Sequence, residues 1–112
     1  MFKNEVAEFI YKRTYSRWLE DENRREDWPE TIERFIDFII SERPDIPEKT
    51  QGKIRKYMTE FAVMPSMRFL WAAGPAAKAD NTCIYNCSFA KINSVEAFAE
   101  CLYVLMCGTG FG

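Results

Sequence analysis

The run Trp28-Pro29-Glu30-Thr31-Ile32-Glu33-Arg34-Phe35-Ile36-Asp37-Phe38-Ile39-Ile40 constrains this chain more than any other. Ile32, Phe35, Ile36, Ile39 and Ile40 recur at the helical period, so the spacing predicts an amphipathic helix with one apolar face. It starts near Asp27 or Trp28. Pro29 suits the first turn, where a missing N–H costs little, and Glu30 favours the positive end of the helix. Pro44 and Pro47 end it. Two more stripes flank it. Val6, Phe9 and Ile10, broadened by Tyr11, Tyr15 and Trp18, predict a helix over about residues 4–20. The polar segment Asp21–Asp27 reads as a connection. Ile54, Tyr57, Met58, Phe61 and Ala62 predict a third helix that begins after Ile46 and stops at Pro65. Such stripes must bury against one another or against a larger body.

Beyond residue 63 the character changes. Residues 1–63 form a charged, aromatic, helical region. Residues 64–112 hold all four cysteines and most of the glycine. Gly74-Pro75 breaks any regular element, and residues 75–82 read as an exposed loop. Cys83–Ile92 alternates like a strand, with Tyr85, Cys87 and Phe89 on one side. Ser94 is a good N-cap for a helix from Val95 to Cys107, and Gly108 is placed to cap its other end. Val95, Phe98, Ala99, Leu102, Leu105 and Met106 form that helix's stripe. The glycine turn Gly108-Thr109-Gly110-Phe111-Gly112 follows. A strand–helix unit needs a partner strand, and none is expected within the chain, so a complementary segment is expected.

Composition excludes several classes of function. At 47 % hydrophobic and 29 % charged, the chain has a globular balance. A net charge of −2 gives no broad grip on nucleic acid or anionic lipid, so neither direct DNA binding nor a membrane partner is expected. With no transmembrane-length run and no signal-peptide core, a cytoplasmic location is expected, where the cysteines would rest reduced. Histidine is absent, which removes the commonest general base and metal ligand. Chemistry must rest on thiols, carboxylates or backbone.

The thiols are therefore weighed one by one. Cys83 and Cys87 have a C-x3-C spacing but lack further ligands nearby, and on an extended strand they would stand about 13 Å apart. No metal site is expected. Cys101 and Cys107 flank an apolar helix stripe, and packing accounts for both. Cys87, taken alone, reads as a small buried hydrophobe. The glycine turn fits neither a Walker loop nor a Rossmann turn, and a helix cap leading into a strand is an equally good reading. In the run Tyr11-Lys12-Arg13-Thr14-Tyr15-Ser16-Arg17-Trp18 the basic stems cover core aromatics rather than stack on nucleic acid.

Four blocks taken together resemble a known family. Phe9–Trp18, followed by Arg24-Arg25-Glu26-Asp27-Trp28-Pro29-Glu30-Thr31, resembles the N-terminal region of monomeric, adenosylcobalamin-dependent (class II) ribonucleotide reductases. Pro65-Ser66-Met67-Arg68-Phe69-Leu70-Trp71-Ala72-Ala73-Gly74 resembles the next block. Asn86-Cys87 resembles the first strand of the catalytic barrel, and Gly108–Gly112 its glycine turn. The blocks occur in family order and span nearly the whole chain.

The resemblance implies an α/β fold: a helical lead-in, then the first strand and helix of a ten-stranded α/β barrel. It implies conversion of ribonucleotides to deoxyribonucleotides, with adenosylcobalamin generating a thiyl radical on a cysteine outside these residues. A cysteine pair then reduces the ribose 2′ position and is left as a disulfide. An external dithiol such as thioredoxin restores the pair. Cys87 matches the first member of that pair and replaces the packing reading. Asn86 and Gly110 match positions lining the substrate site, and Ser66 falls in a block whose hydroxyl approaches substrate. The cobalamin site and the second cysteine of the pair are expected in a complementary C-terminal segment, and the 112 residues alone are expected to be inactive. The rival reading is a non-catalytic helical interaction module derived from this family.

Overall fold

A computed structural model describes residues 2–112. Helix α1 spans Glu5–Thr14, and the Asn4 side chain caps it by accepting from the Ala7 N–H. It is shorter than the stripe predicted. Beyond Tyr15 the chain forms an antiparallel hairpin, β1 (Trp18–Leu19) and β2 (Arg24–Arg25). The reason lies in Ser16, whose hydroxyl donates to the Glu26 carbonyl at 2.6 Å and pulls the chain back across α1. Asn23 sits in the tight turn with φ 52°, a conformation asparagine tolerates. The expected polar connection is thus a hairpin. Val6, Phe9 and Ile10 are exposed, and Tyr11 is the residue α1 buries.

Helix α2 spans Trp28–Glu42, as its stripe predicts. Asp27 and Glu30 form a reciprocal capping box, with Pro29 in the first turn. Ile32, Phe35 and Ile36 are buried in its core face. Helix α3 spans Glu48–Thr59 and packs against α2, burying Met58. It stops before Pro65 is reached. The Phe61 N–H donates to the Met58 carbonyl and the Ala62 N–H to the Tyr57 carbonyl, which is the Schellman pattern. Phe61 occupies its left-handed position, φ 56°, where glycine is usual. Its ring stacks on Trp28 at 5.0 Å and lies against Phe2 at 5.2 Å, and these contacts hold it there.

Short helices α4 (Met67–Ala72) and α5 (Pro75–Ala79) follow, then a 3-10 turn over Asn81–Ile84. The predicted loop over 75–82 is therefore helical. Gly74, φ 118°, turns the chain, and Pro75 then occupies a first helical turn that needs no N–H. The predicted strand Cys83–Ile92 contracts to β3, Cys87–Ser88. Cys83 lies in the 3-10 turn, so the extended spacing to Cys87 does not apply. Helix α6 spans Glu96–Met106, with the Ser94 hydroxyl accepting from the Ala97 N–H at 3.3 Å. Gly108, φ 90°, closes it in a second Schellman pattern: Gly108 N–H to Leu105, Thr109 N–H to Val104.

The glycine turn then leads into a strand, and that strand is the partner not expected within the chain. β4, Gly110–Phe111, pairs parallel with β3 in the register Cys87↔Gly110 and Ser88↔Phe111. The strand–helix unit finds its partner within the chain, as β3–α6–β4.

One core joins these parts: Tyr11, Trp28, Ile32, Phe35, Ile36, Met58, Leu70 and Ala73. A buried ion pair crosses it. Glu26, 2 % exposed, accepts from Arg34 at 2.7 and 3.1 Å and from the Thr31 hydroxyl at 2.6 Å. Arg34 also donates to the Leu70 and Ala73 carbonyls, tying α2 to α4. Helix α6 stays outside this core. Val95, Phe98, Leu102, Leu105 and Met106 are exposed, and Ala97 is the residue α6 buries. The radius of gyration, 16.6 Å, exceeds the roughly 13 Å of a compact domain this size. The described residues form a helical body carrying a parallel strand pair.

Candidate functional site

The site is built on β3. The Gly110 N–H donates to the Asn86 carbonyl at 3.0 Å, and the Gly112 N–H to the Ser88 carbonyl at 3.1 Å. The Ser88 hydroxyl donates to the Gly110 carbonyl at 3.1 Å, closing the ladder from the side. Between these bonds lies Cys87, a free thiol on an exposed residue. Gly110 leaves space beside it: a Cβ on Gly110 would lie 3.8 Å from the Cys87 Sγ and 3.2 Å from the Asn86 carbonyl oxygen. Asn86, Cys87 and Gly110 are therefore brought together. A half-open cavity of about 350 Å³ reaches Asn86 and is otherwise lined by Thr14, Tyr15, Met67, Arg68 and Trp71.

Ser66 stands apart. Its hydroxyl accepts from the Phe69 N–H at 3.1 Å as the N-cap of α4. Its link to the ladder runs through Arg68, two residues on, which donates to the Gly108 carbonyl at 2.6 Å.

Other side chains hold the ladder that the sequence reading did not single out. Thr109 is 2 % exposed, and its hydroxyl donates to the Thr82 carbonyl at 2.5 Å. Asp80 accepts from Tyr103 at 2.7 Å and from the Cys107 thiol at 3.2 Å, so Cys107 has a polar partner beyond packing. The hydrogen bonds to Thr82, Tyr103 and Cys107 hold the Asp80 carboxyl well below the usual carboxylate range. Asp80 in turn pushes the Tyr103 phenol up to about 12 and raises the Cys107 thiol. Cys107 is thereby kept protonated and poorly nucleophilic. One signal for Arg68 was present in the sequence: from Phe61 to Ala79 there is no acidic residue to pair with it.

The basic–aromatic run over residues 11–18 makes structural contacts. Lys12 donates to the Glu26 carbonyl at 3.0 Å, and Arg17 donates to the Trp71 carbonyl at 2.6 Å with its guanidinium over the Trp71 ring. Among the described residues, no three His, Cys, Asp or Glu side chains converge as metal ligands. The larger cavities, about 640 Å³, are open to solvent and do not enclose a group the size of adenosylcobalamin. No helix is long and apolar enough to cross a membrane.

Comparison with known proteins gives a consistent result. Residues 1–75 match the model of the ribonucleotide reductase alpha domain. The adenosylcobalamin-dependent ribonucleoside-triphosphate reductase of Lactobacillus gasseri is 34 % identical over 100 residues, covering 79 % of this chain and 13 % of the relative. The enzyme of the same name from Lactobacillus helveticus is 35 % identical over 102 residues, with the same coverage of each chain. A crystal structure of a B12-dependent, class II ribonucleotide reductase superposes with TM-score 0.65 and 29 % identity, over 73 % of this chain and 13 % of that one. The chain thus spans about an eighth of the length of these relatives.

Proposed function

This chain belongs to the ribonucleotide reductase alpha domain family, and on that premise we propose that it is the N-terminal part of an adenosylcobalamin-dependent reductase that makes deoxyribonucleotides from ribonucleotides. Residues 1–63 are its helical lead-in. Residues 64–112 begin a ten-stranded α/β barrel, with β3 as first strand and α6 packed outside. The exposed stripe of α6 supports this, because it asks for a surface to pack on. Adenosylcobalamin, which starts the radical chemistry, has its site in barrel segments beyond these residues. The substrate is a ribonucleotide, and an external dithiol such as thioredoxin regenerates the enzyme.

Cys87 is the residue on which the proposal rests. It is one of two cysteines that reduce the substrate. Across the reaction the ribose C2′–O bond breaks and a C2′–H bond forms. The hydroxyl leaves as water, and two thiols become one disulfide. The two electrons come from the two sulfurs. A reducing thiol must reach both the ribose and its partner cysteine, with α-carbons roughly 5.5–6 Å apart in the disulfide. The single observation that carries this reading is that Cys87 is exposed in a parallel ladder whose opposite residue, Gly110, has no side chain to cover it. Asn86 and Gly110 line the substrate, and Ser66 presents its hydroxyl from α4.

The test is turnover by the assembled reductase with an external dithiol. Cys87→Ser is nearly isosteric and should abolish sustained turnover while preserving the fold. Cys101→Ser should cost some packing stability at most. Wild-type turnover by Cys87→Ser would refute the assignment and favour a non-catalytic interaction module.

A further inference from the structure

A two-residue parallel pair cannot hold its own position. β3 and β4 share two facing residue pairs, and the β4 side is glycine-rich, with little side-chain packing to fix it. What fixes β4 must come from outside the ladder. Two side-chain contacts do so, one from the 3-10 turn and one from α4. Thr109 bonds the 3-10 turn through the Thr82 carbonyl. Arg68 reaches from α4 to the Gly108 carbonyl at 2.6 Å.

Like Arg17 and Arg25, which donate to the Trp71 and Ser16 carbonyls, Arg68 serves the backbone rather than an ion pair. Arg24, Arg34, Arg43 and Arg55 are each paired with a carboxylate. Among the described residues Arg68 has no such partner and spends its charge on a backbone oxygen. That oxygen belongs to a residue at φ 90°, at the point where α6 ends and β4 begins. The same guanidinium lies 3.6 Å from where a Gly108 Cβ would stand, in ordinary contact. Arg68 is itself set by α4, which Ser66 caps at one end and Leu70 anchors in the core. A rigid path therefore runs from the core through α4 and Arg68 to Gly108, and two residues on to Gly110, opposite Cys87.

We propose that Arg68 is a positioning residue: by holding the Gly108 carbonyl it sets the distance between Gly110 and the Cys87 thiol, and so the aim of that thiol. The effect on catalysis rests on the reading of Cys87 as a reducing cysteine. The effect on geometry does not.

The experiment uses the assembled reductase with Arg68→Met, which keeps the stem and removes the donors, and Arg68→Lys, which keeps a charged donor. Hydrogen exchange is followed in peptides covering residues 86–89 and 108–112, with residues 28–42 as the fold control. Sustained turnover with an external dithiol is measured alongside. A lost hydrogen bond to a charged group should raise exchange at the Gly110 and Gly112 amides about tenfold or more in Arg68→Met. Turnover should fall with it, the control region should stay unchanged, and Arg68→Lys should recover part of both. Unchanged exchange at Gly110 and Gly112 would overturn the proposal. So would raised exchange with wild-type turnover, provided Cys87→Ser is inactive. If Cys87→Ser and Arg68→Met both turn over normally while exchange rises, the geometric role of Arg68 stands and the reading of Cys87 fails.

Discussion

Cys87 and Gly110 face each other across a parallel ladder, so closely that one added methyl group at Gly110 would sit 3.8 Å from the thiol sulfur and 3.2 Å from the Asn86 carbonyl oxygen. The first distance is ordinary contact. The second is tight, and it involves backbone that cannot swing aside. Gly110→Ala must therefore push β4 away from β3 by a few tenths of an ångström. Gly110 does not have a positive φ, so strain in its own backbone is not the issue. The expected result is slower turnover together with faster alkylation of Cys87 by iodoacetamide, as the ladder loosens over the thiol. Unchanged rates of both would mean that the gap across the ladder does not matter.

The Glu26–Arg34 pair should dominate stability. Glu26 is buried, and Arg34 also satisfies two carbonyls of α4. Arg34→Met removes these donors and leaves a buried carboxylate with the Thr31 hydroxyl as its remaining side-chain donor. Breaking a buried pair from one side costs about 3–5 kcal/mol. Urea denaturation should show a loss of that order. A loss below about 1 kcal/mol would indicate that water reaches Glu26 freely.

The same pair predicts an acid limb. Burial by itself would push the Glu26 carboxyl up, but the hydrogen bonds from Arg34 and Thr31 outweigh it and hold the group below its ordinary 4.5. A carboxylate lowered in the folded state contributes stability above its unfolded pKa. That contribution is lost as pH falls below about 4.5 and through the folded value. The melting temperature of the wild type should drop more steeply between pH 5 and pH 3 than that of Glu26→Gln. Parallel curves would contradict this.

Phe61 supplies an unusual comparison. It sits in the left-handed position that closes α3, and its ring packs on Trp28 and Phe2. Phe61→Ala loses the ring and keeps the strained backbone. Phe61→Gly loses the ring and relieves the strain, by about 1 kcal/mol. Glycine should therefore be the milder substitution by urea denaturation, the reverse of the order within a helix. Equal or opposite losses would show that the φ of 56° carries no cost.

These cases also show what could be read from the sequence. Helix α2 carries its stripe, its capping box and its first-turn proline within one segment, so local chemistry specifies it. The buried face of α1 depends on partners elsewhere. Tyr11 is buried because its hydroxyl meets Thr31 at 2.6 Å, while Val6 and Phe9, the more regular apolar positions, stay exposed. The strand pair was out of reach for a different reason. Two residues have no measurable period, and glycine has no side chain to show a pattern. Resemblance pointed to Asn86, Cys87 and Gly110, and the ladder joins them. The residues that hold that ladder, Arg68, Thr109 and Asp80, act through single bonds to distant backbone or side chains, which spacing does not reveal.

The most direct test of the account is the fate of Cys87 after one round of reduction. The assembled reductase is pre-reduced, freed of dithiol and given substrate for a single turnover. It is then quenched in iodoacetamide and mapped by mass spectrometry. The account predicts that Cys87 is protected in a disulfide with a cysteine outside these 112 residues, in proportion to deoxyribonucleotide formed, while Cys83, Cys101 and Cys107 are alkylated. Product formed with Cys87 fully alkylated would contradict it.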